Sequence, residues 1–239
     1  MKLDTRVYPD LDALSHAALE EVLRVVRESV AARGRCAIAL SGGHTPAQMY
    51  SLWATHYIAH TPWDKLHLFW SDERFVAEDD PRSNYRLARE TLIARVPIPA
   101  ANVHPMLTDF SRPQQAAEAY EEVMRIFFGS APPAFDVQLL GIGGEGHTAS
   151  LFPGSPALEE KQRWVRAVRA PVEPPDRLTL TPVVLQCGRN TFFLVAGENK
   201  REILDAIRSE ADSARSQYPA ARIRPSGPVL WFLDQAAAG

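Results

Sequence analysis

One imidazole, one carboxylate and two hydroxyls crowd into the glycine-rich run Gly141-Ile-Gly-Gly-Glu-Gly-His-Thr-Ala-Ser-Leu-Phe-Pro-Gly154, directly after the apolar residues 135–140. His147 carries the side chain whose unperturbed pKa lies nearest neutrality, which suits it to move protons at physiological pH. Glycines at 141, 143, 144 and 146 are expected to take positive φ and let the backbone come close to a ligand. A strand that ends in such a turn can form a polar small-molecule site. From the turn alone, a buried, hydrogen-bonded structural histidine is the competing reading of His147.

Three further clusters carry chemistry. Ser41-Gly-Gly-His-Thr-Pro46 joins an apolar stretch to a predicted helix, with Thr45 as N-cap and Pro46 in the first turn. Free N–H groups and the positive dipole end there favour a phosphate or carboxylate. No Gly-Lys-Ser/Thr follows, so this is not a Walker loop, and a plain tight turn is the alternative. Asp72-Glu-Arg74 places three charges straight after a second apolar run, where a carboxylate can orient a base and an arginine can face an anion. A solvated ion pair is the alternative there. Arg177 and Lys200 taken singly are surface charges, yet Lys200 sits near a helix start, where the dipole disfavours a cation unless an anion is close.

Other patterns are weaker. Residues 141–146 match G-x-G-x-x-G, but Pro153 and Pro156 cut short the helix that a dinucleotide fold requires, so no nucleotide cofactor is expected. His56 and His60 are spaced i, i+4 with no carboxylate between them, which reads as a helix-end surface pair rather than a metal site. No G-x-S-x-G elbow is present.

The elements that must position these clusters follow from periodicity. Helices are predicted over residues 11–32, from Thr45 onward, and over 83–95, 116–128 and 198–209, with Gly34 as the stop of the first. Strands are predicted over 36–40, 66–70, 135–140, 164–168, 191–196 and 229–233. The alternation predicts an α/β fold, a mainly parallel, doubly wound (Rossmann-like) sheet with helices on both faces, in a single domain over residues 1–239. Ligands of such sheets bind beyond the carboxyl ends of the strands. The clusters at 41–46, 72–74, 141–154 and 199–200 all fall there.

Composition excludes several classes. A net charge of −3, from 26 basic and 29 acidic residues, offers no basic surface for nucleic acid. No apolar run approaches the ~20 residues that cross a bilayer, and the first ten residues lack a secretory apolar core, so a cytoplasmic protein is expected. Cys36 and Cys187 form no CxxC pair, which suggests neither a disulfide framework nor a thiolate metal site.

Taken in order, Ser41 to Pro46, Ser71-Asp-Glu-Arg-Phe-Val76 with Ser83-Asn84, the run from Gly141 to Gly154, Arg177-Leu-Thr-Leu-Thr181 and Gly197-Glu-Asn-Lys200 resemble the 6-phosphogluconolactonase family. That family lies in a wider sugar-phosphate group that includes glucosamine-6-phosphate deaminase. The deaminase branch carries tyrosine where this chain has Arg74 and a Phe-Asn-Glu-Pro run where it has residues 150–153. One departure is Glu145, where the lactonase pattern has aspartate.

The resemblance implies hydrolysis of a small phosphorylated sugar lactone, the δ-lactone of 6-phosphogluconate, in the oxidative pentose phosphate pathway without a cofactor; no metal ligand is assigned, and the sequence leaves monomer and homodimer both open. It implies His147 as general base and later proton donor, Asp72 as its orienting group and Arg74 as the stabiliser of developing negative charge. Ser41, Gly42, Gly43, Thr45, Gly143, Thr148, Arg177 and Lys200 would bind the substrate and its phosphate, while Glu145 is left without a fixed role. An amino-sugar-phosphate deaminase or isomerase and a non-catalytic sugar-phosphate sensor are the rival readings.

Overall fold

The computed structural model describes residues 3–208 and 217–239. Its strands are β1 (Asp4–Tyr8), β2 (Cys36–Leu40), β3 (Leu66–Trp70), β4 (Asp72–Arg74), β5 (Val137–Leu140), β6 (Val165–Arg169), β7 (Asp176–Leu180), β8 (Thr191–Val195) and β9 (Val229–Asp234). Six of them form one sheet in the order β1-β9-β8-β5-β2-β3, with every neighbouring pair parallel. Helices cover both sides of it. That cover explains why β2, β5 and β8 are buried along their whole length and read as near-continuous apolar runs.

The principal helices are α1 (Leu11–Arg33), α2 (His44–His56), α3 (Asn84–Thr91), α4 (Pro113–Phe128) and, after the single turn α5 (Pro182–Leu185), α6 (Arg201–Arg208). Helix α1 begins where Asp10 Oδ1 accepts from the Ala13 N–H at 2.8 Å, and it stops at Gly34, whose φ of 74° is left-handed.

The structure corrects several expectations. The N-cap of α2 is Gly43, with φ 104° and no capping side chain, so Thr45 lies inside the first turn. Residues 83–95 divide into Ser83 as N-cap, α3, and a separate 3₁₀ turn, Ile93–Arg95. Helix α4 starts three residues earlier than expected, with Pro113 in its first turn. The stretch from 198 opens with a 3₁₀ turn, Glu198–Lys200, before α6, and Ser209 lies outside the described residues.

The largest correction concerns strand membership. β6, counted from sequence among the strands of the main sheet, belongs instead to a second, antiparallel sheet of order β4-β7-β6. Two members of that sheet escaped sequence reading: the Asp72-Glu-Arg triplet is itself the strand β4, and β7 begins with the charged Asp176 and Arg177. β1 was missed as well, because an edge strand with three exposed residues of five shows little apolar signal.

At the β3 edge of the main sheet, His67 Nδ1 lies 3.2 Å from His104 Nε2, and His104 stacks on Phe69 with ring centroids 4.3 Å apart. Burial first, and then the His67 charge, push His104 down to about 4, and burial lowers His67 too. A histidine with a depressed folded-state pKa favours folding above its ordinary value and loses that contribution as pH falls from about 6.5 towards 4. The melting temperature should therefore drop across that window, and His104→Phe should flatten the drop. A slope unchanged in the variant would show that other groups govern acid stability.

Candidate active site

Chain order within the main sheet reverses between β2 and β5, since β3 lies outward from β2 while β8 and β9 follow on the other side of β5. Parallel sheets bind ligands at such a switch point, beyond the carboxyl ends of the strands. Two loops meet here, residues 41–43 after β2 and the glycine-rich run after β5. Ser71 Oγ ties the strand ends together, donating to Leu40 O at 2.6 Å, with Leu139 O at 3.3 Å. The Tyr50 hydroxyl holds the Ser41 backbone on both sides, accepting from its N–H at 3.1 Å and donating to its C=O at 2.8 Å.

Ser71 also hands the chain to the second sheet, since its carbonyl accepts from the Leu180 N–H at 2.8 Å. The antiparallel register of β4 and β7 then sets Arg74 directly opposite Arg177. Arg177 is 5% exposed, and its guanidinium donates only to main-chain carbonyls, Pro174 O at 2.6 Å and Glu173 O at 3.4 Å. Arg74 Nη1 donates to Arg82 O, while its Nε has no partner. Burial, and next the Arg74 charge, pull the Arg177 pKa below its ordinary value. The nearest carboxylates are committed elsewhere: Asp72 accepts from Ser150 Oγ at 2.6 Å, and Glu73 from the backbone N–H groups of Arg74, Asn84 and Tyr85, each at 2.7 Å. Two guanidiniums facing one another without an acid between them form a strong anion-binding pair.

These groups line a cavity of about 200 Å³ bounded by Ser41, Gly42, Gly43, Asp72, Arg74, Asn84 and Arg177 on one side, and on the other by the loop after β5 with His147. Among the described residues nine buried side-chain polar atoms lack a hydrogen-bond partner, and four of them (Ser41 Oγ, Arg74 Nε, Asn84 Oδ1 and His147 Nδ1) belong to residues of this wall. Buried polar groups are nearly always paired. Their concentration here points to a polar ligand.

The His147 ring is held on three sides. It packs on Phe152 with centroids 4.2 Å apart. It lies so close to Gly143 that a Cβ there would stand 2.0 Å from Nδ1 and Cε1. Its Nδ1 is 3.1 Å from Glu145 Oε2, close but without the geometry of a formed hydrogen bond. Burial works against charge on Glu145, but its own backbone N–H, His147 and Lys200 outweigh it and hold the carboxyl below its ordinary pKa. Lys200 in turn has its pKa lowered by burial, partly offset by Glu145.

Most residues singled out in the sequence thus converge, with three corrections. Asp72, expected to orient His147, lines the cavity but turns its carboxylate to Ser150 and Asn84; Glu145 is the carboxylate beside the imidazole. Lys200 is half-buried on the Glu145 side and does not line the cavity, and Thr148 is buried next to it with an unpaired Oγ1. Of the four glycines expected at positive φ, only Gly146 has it, at 80°, while Gly143 is needed for close approach. Sequence reasoning gave Asn84 no part in the site, although a Ser-Asn pair opening a helix ten residues after the charged triplet was a usable signal. Arg177 came only from the resemblance, and it is not the surface charge it looks in isolation. No group of three or more His, Cys, Asp or Glu among the described residues is placed to hold a metal.

The family described as glucosamine-6-phosphate isomerases/6-phosphogluconolactonase matches residues 9–231. The chain belongs to this family. A 6-phosphogluconolactonase from Synechocystis sp. is 43% identical over 228 residues, covering 94% of this chain and 92% of the relative. The structure of 6-phosphogluconolactonase from Trypanosoma cruzi aligns with a TM-score of 0.88 at 30% identity, covering 99% of this chain and 96% of that one. A monomeric glucosamine-6-phosphate deaminase aligns over 100% of this chain and 99% of its own with a TM-score of 0.82, but at 19% identity that likeness shows the fold alone. No helix among the described residues is long and apolar enough to cross a membrane.

Proposed function

We propose that this protein hydrolyses 6-phospho-D-glucono-1,5-lactone to 6-phosphogluconate, a step of the oxidative pentose phosphate pathway, by general-base activation of water. The observation that carries the reading is the buried Arg177 facing Arg74 without an acid partner, in the same small cavity as His147. A neutral lactone that carries an anionic phosphate is the substrate such a site suits. The chain acts as one sugar-phosphate-binding domain over residues 1–239, in the cytoplasm.

Binding begins at the phosphate, held by Arg177 and by the free N–H groups of the α2 N-terminus from Gly43 to Thr45, with Ser41 beside them. Lys200 adds longer-range positive charge. Anchoring remote from the ester lets binding energy position the carbonyl for attack. Glu145 occupies the Nδ1 side of His147, which leaves Nε2 to take a proton from water as its oxygen adds to C1. Arg74 stabilises the resulting tetrahedral oxyanion. When the C1–O5 bond breaks, the imidazolium returns its proton to O5, and the new carboxylic acid ionises.

Acid release from freshly made phospholactone, after subtraction of spontaneous hydrolysis, tests the activity directly. Ammonium release from glucosamine 6-phosphate would instead favour the deaminase reading. Arg177→Ala should raise KM about 10- to 100-fold, since it removes a charge-assisted contact to phosphate. Unphosphorylated gluconolactone should be a poor substrate for the intact enzyme. Equal kcat/KM for the two lactones would refute the phosphate assignment.

Glu145→Gln keeps the length of the side chain and removes its charge. If the carboxylate stabilises the imidazolium formed during turnover, kcat should fall about 10-fold with KM nearly unchanged. Glu145→Asp should lose a similar amount, because the shorter arm withdraws from Nδ1. Wild-type kcat in both variants would leave Glu145 a loop residue only.

A further inference from the structure

We infer that Asn84 is a substrate-recognition residue, whose side-chain carbonyl accepts a hydrogen bond from one ring hydroxyl of the lactone. The inference rests on the proposed function and deepens it. Asn84 is 2% exposed, yet it lines the cavity. Its Nδ2 donates to the Asp72 carbonyl oxygen at 2.9 Å and lies 3.3 Å from Asp72 Oδ1. Both of these are acceptors, so the amide cannot be turned round: the NH₂ must face Asp72 and the oxygen must face away from it. That oxygen, Oδ1, is buried and has no partner.

Its position at the cavity wall is fixed by its neighbours. Oδ1 rests against Gly42, where an added Cβ would stand 1.8 Å away, so only glycine at 42 lets the amide occupy this place. The main chain beneath it is pinned: the Glu73 carboxylate accepts from Asn84 N and Tyr85 N at 2.7 Å each and from Ser83 Oγ at 3.2 Å, while Ser83 caps α3. Burial pushes Glu73 up to about 7 against the pull of those N–H groups. Asp72 cannot swing away to free the amide, since its other oxygen holds Ser150 Oγ at 2.6 Å.

The chemistry of the acceptor decides what it meets. The rest of the cavity is rich in donors, which suit phosphate and oxyanion oxygens. A neutral carbonyl oxygen has no attraction for either, nor for the lactone carbonyl or ring oxygen, all of which only accept. The hydroxyls at C2, C3 and C4 are the donors this substrate offers. A site built to hydrogen-bond a substrate hydroxyl rejects the analogue that lacks it, because its own buried group is then left unpaired. Asn84 thereby sets selectivity among phosphorylated lactones, whereas Arg177 only requires a phosphate.

The test is kcat/KM for 6-phosphogluconolactone and its 2-, 3- and 4-deoxy counterparts, measured on the wild-type enzyme and on Asn84→Ala. One deoxy lactone should lose about 10-fold on the wild type, and Asn84→Ala should lose about 10-fold on the parent lactone. The two losses should not add, so that the variant treats the parent and that deoxy lactone alike. Additive losses at every position, or a wild type indifferent to all three deletions, would overturn the inference. Should Asn84→Ala fail to fold, Asn84→Ser, which keeps a donor towards Asp72 and lacks the carbonyl, is read by the same criteria. Failure of the proposed function looks different, because the wild type would then leave the parent lactone untouched.

Discussion

His147→Ala is expected to lower kcat by about 10²–10⁴-fold while KM stays near its wild-type value, the loss typical of removing a positioned general base. The phosphate clamp lies on β7 and the α2 N-terminus, so binding should survive loss of the imidazole. The fold should survive as well. His147 contributes its carbonyl, not its side chain, to the loop bond from Gly143 N at 2.9 Å, and the ring is a quarter exposed. Phe152 would lose a packing neighbour, which costs little stability at a site already open to a cavity. Stopped assays under saturating lactone, with circular dichroism to confirm folding, decide the matter. A folded variant with wild-type kcat would move the base elsewhere.

Gly143→Ala is expected to reduce kcat about 10²-fold with little change in melting temperature, a split that separates positioning from stability. The residue does not sit at positive φ, so alanine meets no backbone penalty there. Its new methyl would instead stand 2.0 Å from the imidazole and 2.9 Å from Glu145 Oε2. The imidazole is the movable end of a side chain, so relief comes cheaply by rotating it. Rotation takes the base out of line with the water it activates, and a displacement of ~1 Å is enough for a loss of this size. Near wild-type kcat, or a collapse in melting temperature alongside the activity, would each contradict the proposed packing of His147 on Gly143.

Much of this was legible from residue types. Parallel strands buried on both faces, such as Cys36–Leu40 and Thr191–Val195, announce themselves as short apolar runs. The polar clusters behind them mark the carboxyl edge. The single histidine within a glycine-rich turn, and the order of motifs from Ser41 to Lys200, carried the family and the reaction. Local stop signals were equally readable, as at Gly34.

Only the tertiary structure decided which charges face each other. Arg74 and Arg177 lie about a hundred residues apart, and they meet through the antiparallel register of a three-residue strand too short to show any period of its own. The carboxylate beside His147 could not be chosen from sequence either. Asp72 and Glu145 are the same chemical kind, and what separates them is that Ser150 and Asn84 claim one while the fold of the loop brings the other to Nδ1. The direction of the Asn84 amide has the same origin, since it depends on which of its ends meets two acceptors at once. Residue types set what each group can do, and non-local hydrogen bonds, which no single stretch of chain contains, set what each group is left free to do.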